Sequence, residues 1–182
     1  DNTAVTTATV AASGAIAGKT VTAATASAVV VNDNATASVT KVTVDGYTGA
    51  TIGAGGSMNA LTNLSLANGT GTAALTTTQT ALNLTVNKVA GTVNLGASVT
   101  NLTVNANSAD SKFVLSATGV TTATVNAAAA LDLSGGTFAN VETVTVTGTG
   151  NVNLGNISAQ TTKLTSTSSG GVIAQGAAGA TT

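Results

Sequence analysis

The chain has 182 residues, of which 38 are Thr and 35 Ala; only 11 carry charge, five Lys and six Asp or Glu, for a net charge of −1. It contains no Arg, His, Cys, Trp or Pro. Without Cys and His there are no thiolate or imidazole ligands for zinc, copper or haem, and no imidazole base for a Ser or Cys nucleophile. Five scattered Lys and a single Tyr offer neither phosphate neutralisation nor base stacking, so nucleic acid is not an expected partner.

No run of 18 or more apolar residues occurs, so no helical membrane span is expected. A hydrophobic content of 43% argues against a solvated coil. The apolar residues also recur periodically, which a linker would not need.

From the N-terminus, degenerate copies of a short phrase are expected around Ala8-Thr9-Val10 and Ala24-Thr25-Ala26. The phrase becomes clear at Val39-Thr-Lys-Val42-Thr-Val44 and Leu61-Thr-Asn-Leu64-Ser-Leu66. It continues at Leu82-Asn-Leu84-Thr-Val86, Val99-Thr-Asn-Leu102-Thr-Val104, Val120-Thr-Thr-Ala123-Thr-Val125 and Val141-Glu-Thr-Val144-Thr-Val146, and closes weakly at Thr161-Thr-Lys-Leu164. The steps between its anchor positions 42, 64, 84, 102, 123, 144 and 164 are 22, 20, 18, 21, 21 and 20. A period near twenty marks a solenoid. Between the copies lies a second apolar phrase, at Thr51-Ile52, Ala73-Ala-Leu75, Val93-Asn-Leu95, Phe113-Val-Leu115, Leu131-Asp-Leu133, Val152-Asn-Leu154 and Val172-Ile173.

Both phrases alternate apolar residues with Thr or Asn, the period of a strand, and Val and Thr favour extended backbone. The expected fold is therefore all-β: a right-handed parallel β-helix with about twenty residues and two main short strands per coil. The three-residue step from Val39 to Val42 breaks the alternation and predicts a corner. The cross-section is then flattened or three-sided. The expected inward columns are Val42, Leu64, Leu84, Leu102, Ala123, Val144, Leu164 and Val44, Leu66, Val86, Val104, Val125, Val146. Residues 1–175 read as one solenoid of eight to nine coils, and 176–182 as a flexible tail. Neither end carries a cap signal. The chain thus reads as a segment of a larger protein whose ends continue into neighbouring domains or stack on other copies.

Chemistry-bearing candidates are few. Thr43, Ser65, Thr85, Thr103, Thr124, Thr145 and Thr165 are expected to form one outward hydroxyl ladder. This is either an ordinary exposed parallel sheet or an ice- or glycan-binding face. Asn87, Asn105 and Asn126, with Asp45 earlier, end successive strands and suggest a turn ladder. Asn32-Asp33-Asn34 with Asp45 gives Asp33 and Asp45 as metal candidates, with a solvated turn as the alternative. No catalytic residues are expected, since Glu142 is the sole Glu and Asp110 and Asp132 each lie far in sequence from another acid.

The segment Phe138-Ala-Asn-Val141-Glu142-Thr143-Val144-Thr145-Val146 resembles the repeats of bacterial surface-layer proteins, of which the Caulobacter-type S-layer proteins are the nearest example, and of large adhesins exported by type I secretion. The resemblance implies calcium-assisted β-solenoid domains that tile outside the cell. Calcium is thus the candidate cofactor, although the chain has no GGxGxD nonapeptide. The expected function is a non-enzymatic structural subunit of an extracellular bacterial surface layer or filament, self-assembling with other copies and meeting cell-surface polysaccharide. The alternative is an adhesin or an ice- or glycan-binding module.

Overall fold

The structure, a computed structural model, describes residues 7–12, 19–33, 39–53 and 58–176, with backbone alone for 7–12 and 19–27. All of its regular elements are strands: β1 (Thr7–Ala12), β2 (Lys19–Asp33), β3 (Lys41–Ile52), β4 (Asn63–Ala67), β5 (Thr72–Leu75), β6 (Ala81–Asn87), β7 (Thr92–Asn94) and β8 (Asn101–Ala106). The second half adds β9 (Ser111–Lys112), β10 (Val114–Ser116), β11 (Thr122–Ala127), β12 (Leu131–Asp132), β13 (Thr143–Gly148), β14 (Val152–Ile157), β15 (Lys163–Ser166) and β16 (Val172–Gly176).

Every pairing is parallel and joins a strand to its counterpart one coil away. The result is a parallel β-solenoid of about seven turns with a spacing of about 21 residues. Of the expected segment 1–175, residues 1–6, 13–18, 34–38 and 54–57 lie outside the described residues, as do 177–182 of the expected tail. Gly176 belongs to β16, opposite Ile157.

One face stacks the first part of β2 and β3 with β4, β6, β8, β11, β13 and β15. A second stacks β1 with the later parts of β2 and β3, then β5, β7 and β10. From residue 111 onward a third face opens, formed by β9, β12, β14 and β16. The early coils therefore have two strand-bearing sides and the later coils gain a third.

The corner before the first face forms as expected: Val39 and Val42, Leu61 and Leu64, and Val141 and Val144 are all buried. Leu61, Val120 and Val141 donate their backbone N–H groups to the carbonyls of Met58, Ala117 and Phe138. A second corner is made by Gly46, Asn68 and Lys88, each one coil after the last, with φ of 68°, 49° and 54°. This left-handed conformation swings the chain from the first face to the second. The four-alanine run ends β11 at the buried Ala127, and Ala128 and Ala129 then turn by donating to the Ala106 carbonyl.

The core is one continuous column, mostly Val, Leu, Ala and Ile, with Tyr47, Met58, Phe113 and Phe138 among them. Residues expected to point inward do so, among them Val93, Leu95, Phe113, Leu115, Leu131, Leu133, Val152 and Leu154. Leu164, in the last strand of the first face, is only partly buried against that core. The stacking differs from expectation at one step. Leu84 pairs with Val104, not Leu102, while Leu102 pairs with Leu82. The true column is Val42, Leu64, Leu84, Val104, Val125, Val146, in which no coil is short. A coil running only from Leu84 to Leu102 could not complete the circuit that its neighbours make. The longer strand β6 absorbs the difference, because Leu82, Leu84 and Val86 are all buried and the corner is displaced by one inward position there.

The N-terminal copies are also reassigned. Ala8-Thr9-Val10 pairs with Val29-Val30-Val31, which continues onto Ala50-Thr51-Ile52 and so belongs to the second face. The first-face copy is Thr20-Val21-Thr22, opposite Thr43-Val44-Asp45. Ala24 to Ala26 fall in the register shift between Thr22 and Ser27.

Candidate functional site

Strand alternation places Thr, Ser and Asn outward on the first face, since each sits between two inward residues. Thr43, Ser65, Thr85, Thr103, Thr124, Thr145 and Thr165 are all half-buried and outward. The offset at β6 nevertheless divides them between two files. Thr43, Ser65 and Thr85 continue onto Asn105, Asn126 and Thr147. Thr103, Thr124, Thr145 and Thr165 continue back onto Asn83 and Asn63. The single seven-member hydroxyl ladder is therefore corrected to two adjacent mixed files.

In the first file the side chains bond along the solenoid axis. Asn126 Nδ2 donates to Asn105 Oδ1 at 2.9 Å, and Thr147 Oγ1 donates to Asn126 Oδ1 at 2.6 Å. The expected Asn ladder thus forms from Asn105 to Asn126 but omits Asn87, which pairs with Ala67. In the other file Thr103, Thr124 and Thr145 stand on consecutive rungs, about 4.8 Å apart.

Asp33 and Asp45 lie towards opposite ends of the β2–β3 pairing. Asp45 is opposite Thr22, whereas Asp33 follows Val31, which is opposite Ile52. Asp33 Oδ2 accepts from Val39 N at 2.9 Å, and Asp45 Oδ1 accepts from Asn68 Nδ2 at 2.6 Å. Asn34 lies outside the described residues. Among the described residues no three His, Cys, Asp or Glu side chains gather into a metal-binding group.

A concave site emerges on the third face, where sequence reasoning placed none. It is a groove of about 510 Å³ crossing β9, β12, β14 and β16. Its polar lining comes from Asp110, Lys112, Asp132, Asn151 and Asn153, with Ile173, 63% exposed, at one end. Lys112, Asp132, Asn153 and Ile173 form one outward file with one member on each coil. Asp110 and Asp132, far apart in sequence, therefore share one groove.

The polar groups of the groove are held by their own turns and by the next coil. Asp132 Oδ1 accepts from Ser134 N at 2.9 Å, and Asn153 Oδ1 accepts from Gly155 N at 3.0 Å. Asp110 Oδ1 accepts from Ala130 N at 2.9 Å, and Asn151 Oδ1 from Gly171 N at 2.8 Å. Lys112 Nζ stands 3.1 Å from Asp132 Oδ2, with the Lys side chain 80% exposed. Hydrogen bonds from Ser134, first its hydroxyl and then its N–H, hold the Asp132 carboxyl below the usual carboxylate range, and Lys112 adds a smaller pull.

These features define a parallel β-solenoid with an outward Thr/Asn face and a separate groove on another side. No family model, no curated protein and no solved structure matches the chain.

Proposed function

We propose that the chain is a structural solenoid of an extracellular bacterial surface assembly, a surface layer or a filament, and that it works without catalysis. The observation that carries this reading is the first face. Across β3, β4, β6, β8, β11, β13 and β15 it presents Thr, Ser and Asn in regular files with few charges. Such a surface is regular in two directions, along the strands and along the stack. It also repels a second copy weakly, given a net charge of −1.

The resemblance at Phe138 to Val146 is the reason for placing the assembly on a bacterial surface. Electron microscopy of the purified chain at increasing concentration, with and without calcium, tests the reading. Sheets or fibres with a repeat set by the solenoid are expected. A protein that stays monomeric by light scattering at high concentration in both conditions refutes it.

A second reading has its own observation. Thr122 and Thr124 stack on Thr143 and Thr145, which gives a small Thr-x-Thr array on adjacent rungs. An ice-binding face would show thermal hysteresis that Thr124→Val and Thr145→Val reduce.

A further inference from the structure

We propose that the groove on the third face binds a neutral oligosaccharide lying across the rungs of β9, β12 and β14. This site lies on a different side from the Thr/Asn face, so the inference does not depend on the assembly reading. The volume of about 510 Å³ falls within the range of small-ligand sites, about 300–1,000 Å³.

The lining chemistry selects the ligand. Asn151 and Asn153 each commit Oδ1 to a backbone N–H, at 2.8 and 3.0 Å. That bond fixes which end of each amide is oxygen and leaves each Nδ2 without a partner among the described residues. Buried Val152 lies between them, so both point outward on one rung, about 7 Å apart. One coil earlier stands Asp132, with Oδ2 shared with Lys112. Asp110 has one oxygen committed to Ala130 N and its second free to accept. Fixed amide donors on one rung and carboxylate acceptors on the next suit a ligand whose every polar group both donates and accepts, as a sugar hydroxyl does.

Charge separates the saccharide classes. Two carboxylates face one ammonium, and that ammonium is already paired. An acidic saccharide would be repelled by the unpaired negative charge, whereas a neutral one would not. An extended peptide is disfavoured for a different reason. The backbone groups of β12 and β14 are already paired to both neighbours, so a peptide lying over those rungs finds no strand edge to add to. Exposed Ile173 gives one end an apolar surface for the C–H face of a sugar ring.

The test is an amide-shift NMR titration of the whole chain with neutral cello-, malto- and N-acetylchito-oligosaccharides. Oligogalacturonate and a lysine-rich peptide serve as comparisons. At least one neutral series should shift the resonances of residues 110–112, 130–132 and 151–153, with the first face unchanged. Asn153→Asp keeps the oxygen that Gly155 N needs but replaces the donor by a negative charge one rung from Asp132; it should weaken binding at least tenfold, and the uncharged Asn153→Ala, which also lacks the donor, should weaken it likewise. Thr145→Ala, on the other face, should leave binding as it was. The proposal is overturned if no neutral series shifts the groove, if oligogalacturonate or the peptide binds it more tightly, or if Asn153→Asp binds as well as the parent.

Discussion

Tyr47 and Gly69 offer a sharp test of the packing. Tyr47, Gly69 and Val89 are successive members of one inward file at the second corner, and all three are buried. The Tyr47 ring is 1% exposed and occupies the space that a side chain at 69 would fill. A Cβ at Gly69 would lie 2.1 Å from Cζ, 2.2 Å from Cε1 and 2.5 Å from the hydroxyl of Tyr47. All three distances fall well inside ordinary contact, which begins at 3.4 Å. Gly69 does not occupy the left-handed region, so alanine would bring no backbone strain. It would even restrict the unfolded chain, a gain of about 0.4–1 kcal/mol. Overpacking costs about 1–3 kcal/mol, here at the upper end because an enclosed ring must move. Gly69→Ala should therefore lose about 2 kcal/mol net. Tyr47→Val alone should lose about 3 kcal/mol through the cavity it leaves. In the double variant the new methyl enters vacated space, so the losses should fall short of their sum by about 2 kcal/mol. Urea unfolding followed by far-UV circular dichroism measures all four proteins, with a constant m-value as the check that the coils still unfold together. A Gly69→Ala protein within about 0.5 kcal/mol of the parent, or strict additivity, would refute the reasoning.

Burial pushes the pKa of Tyr47, the sole Tyr, up to about 12 from 10. Its contribution is fully present below pH 10, where both states are protonated. Above pH 10 the unfolded chain loses the proton first, so stability should fall by roughly 2–3 kcal/mol towards pH 12. Tyr47→Phe should remove that component; because the hydroxyl is buried without a partner among the described residues, it should cost nothing at pH 7. Asn126→Ala breaks both side-chain bonds of the Asn105–Asn126–Thr147 file and should cost about 1–2 kcal/mol in urea unfolding; no change would mean that the file is ornamental. Lys112→Ala removes an ion pair whose Lys side chain is 80% exposed, so the unfolding free energy should change by less than about 1 kcal/mol. A larger loss would show that the pair is shielded from water.

The period and the alternation were readable because each coil repeats the same physical demand. A strand with one buried face needs an apolar residue every second position, and a solenoid needs the set to return after one circuit. The stacking register was harder to read. Leu61-Thr-Asn-Leu64 and Val99-Thr-Asn-Leu102 look alike because both approach the first face from a corner. That corner does not sit at the same register in the two coils, and identical wording hides the shift. The short step from Leu84 to Leu102 was the available signal, because circuit length is a geometric quantity and phrase wording is not. Tyr47 carried no repeat signal, being one aromatic in a file otherwise filled by small residues. The groove was missed for a related reason. Lys112, Asp132 and Asn153 recur once per coil, but two of them sit inside phrases read for their apolar neighbours.

The offset at β6 also governs what the surface can do. A shift by one full alternation keeps every side chain on its own face, because strand alternation has a period of two. It costs the core nothing: Leu82, Leu84 and Val86 all stay buried. On the outside it changes which residues are neighbours along the axis. The Thr43–Ser65–Thr85 file passes into Asn105 and Asn126, whose carboxamides bond to one another and to Thr147. Those groups are engaged within the chain and have less capacity for a partner. The neighbouring Thr103, Thr124 and Thr145 file shows no such chain of side-chain bonds among the described residues, so its half-buried outward hydroxyls keep bonding capacity for a partner. A partner that reads the first face therefore meets its regular hydroxyl array on β8, β11 and β13. The earlier rungs present Lys41, Asp45 and asparagines in its place. Assembly through this face should accordingly respond to changes at Thr124 and Thr145 more than at Thr43 or Ser65.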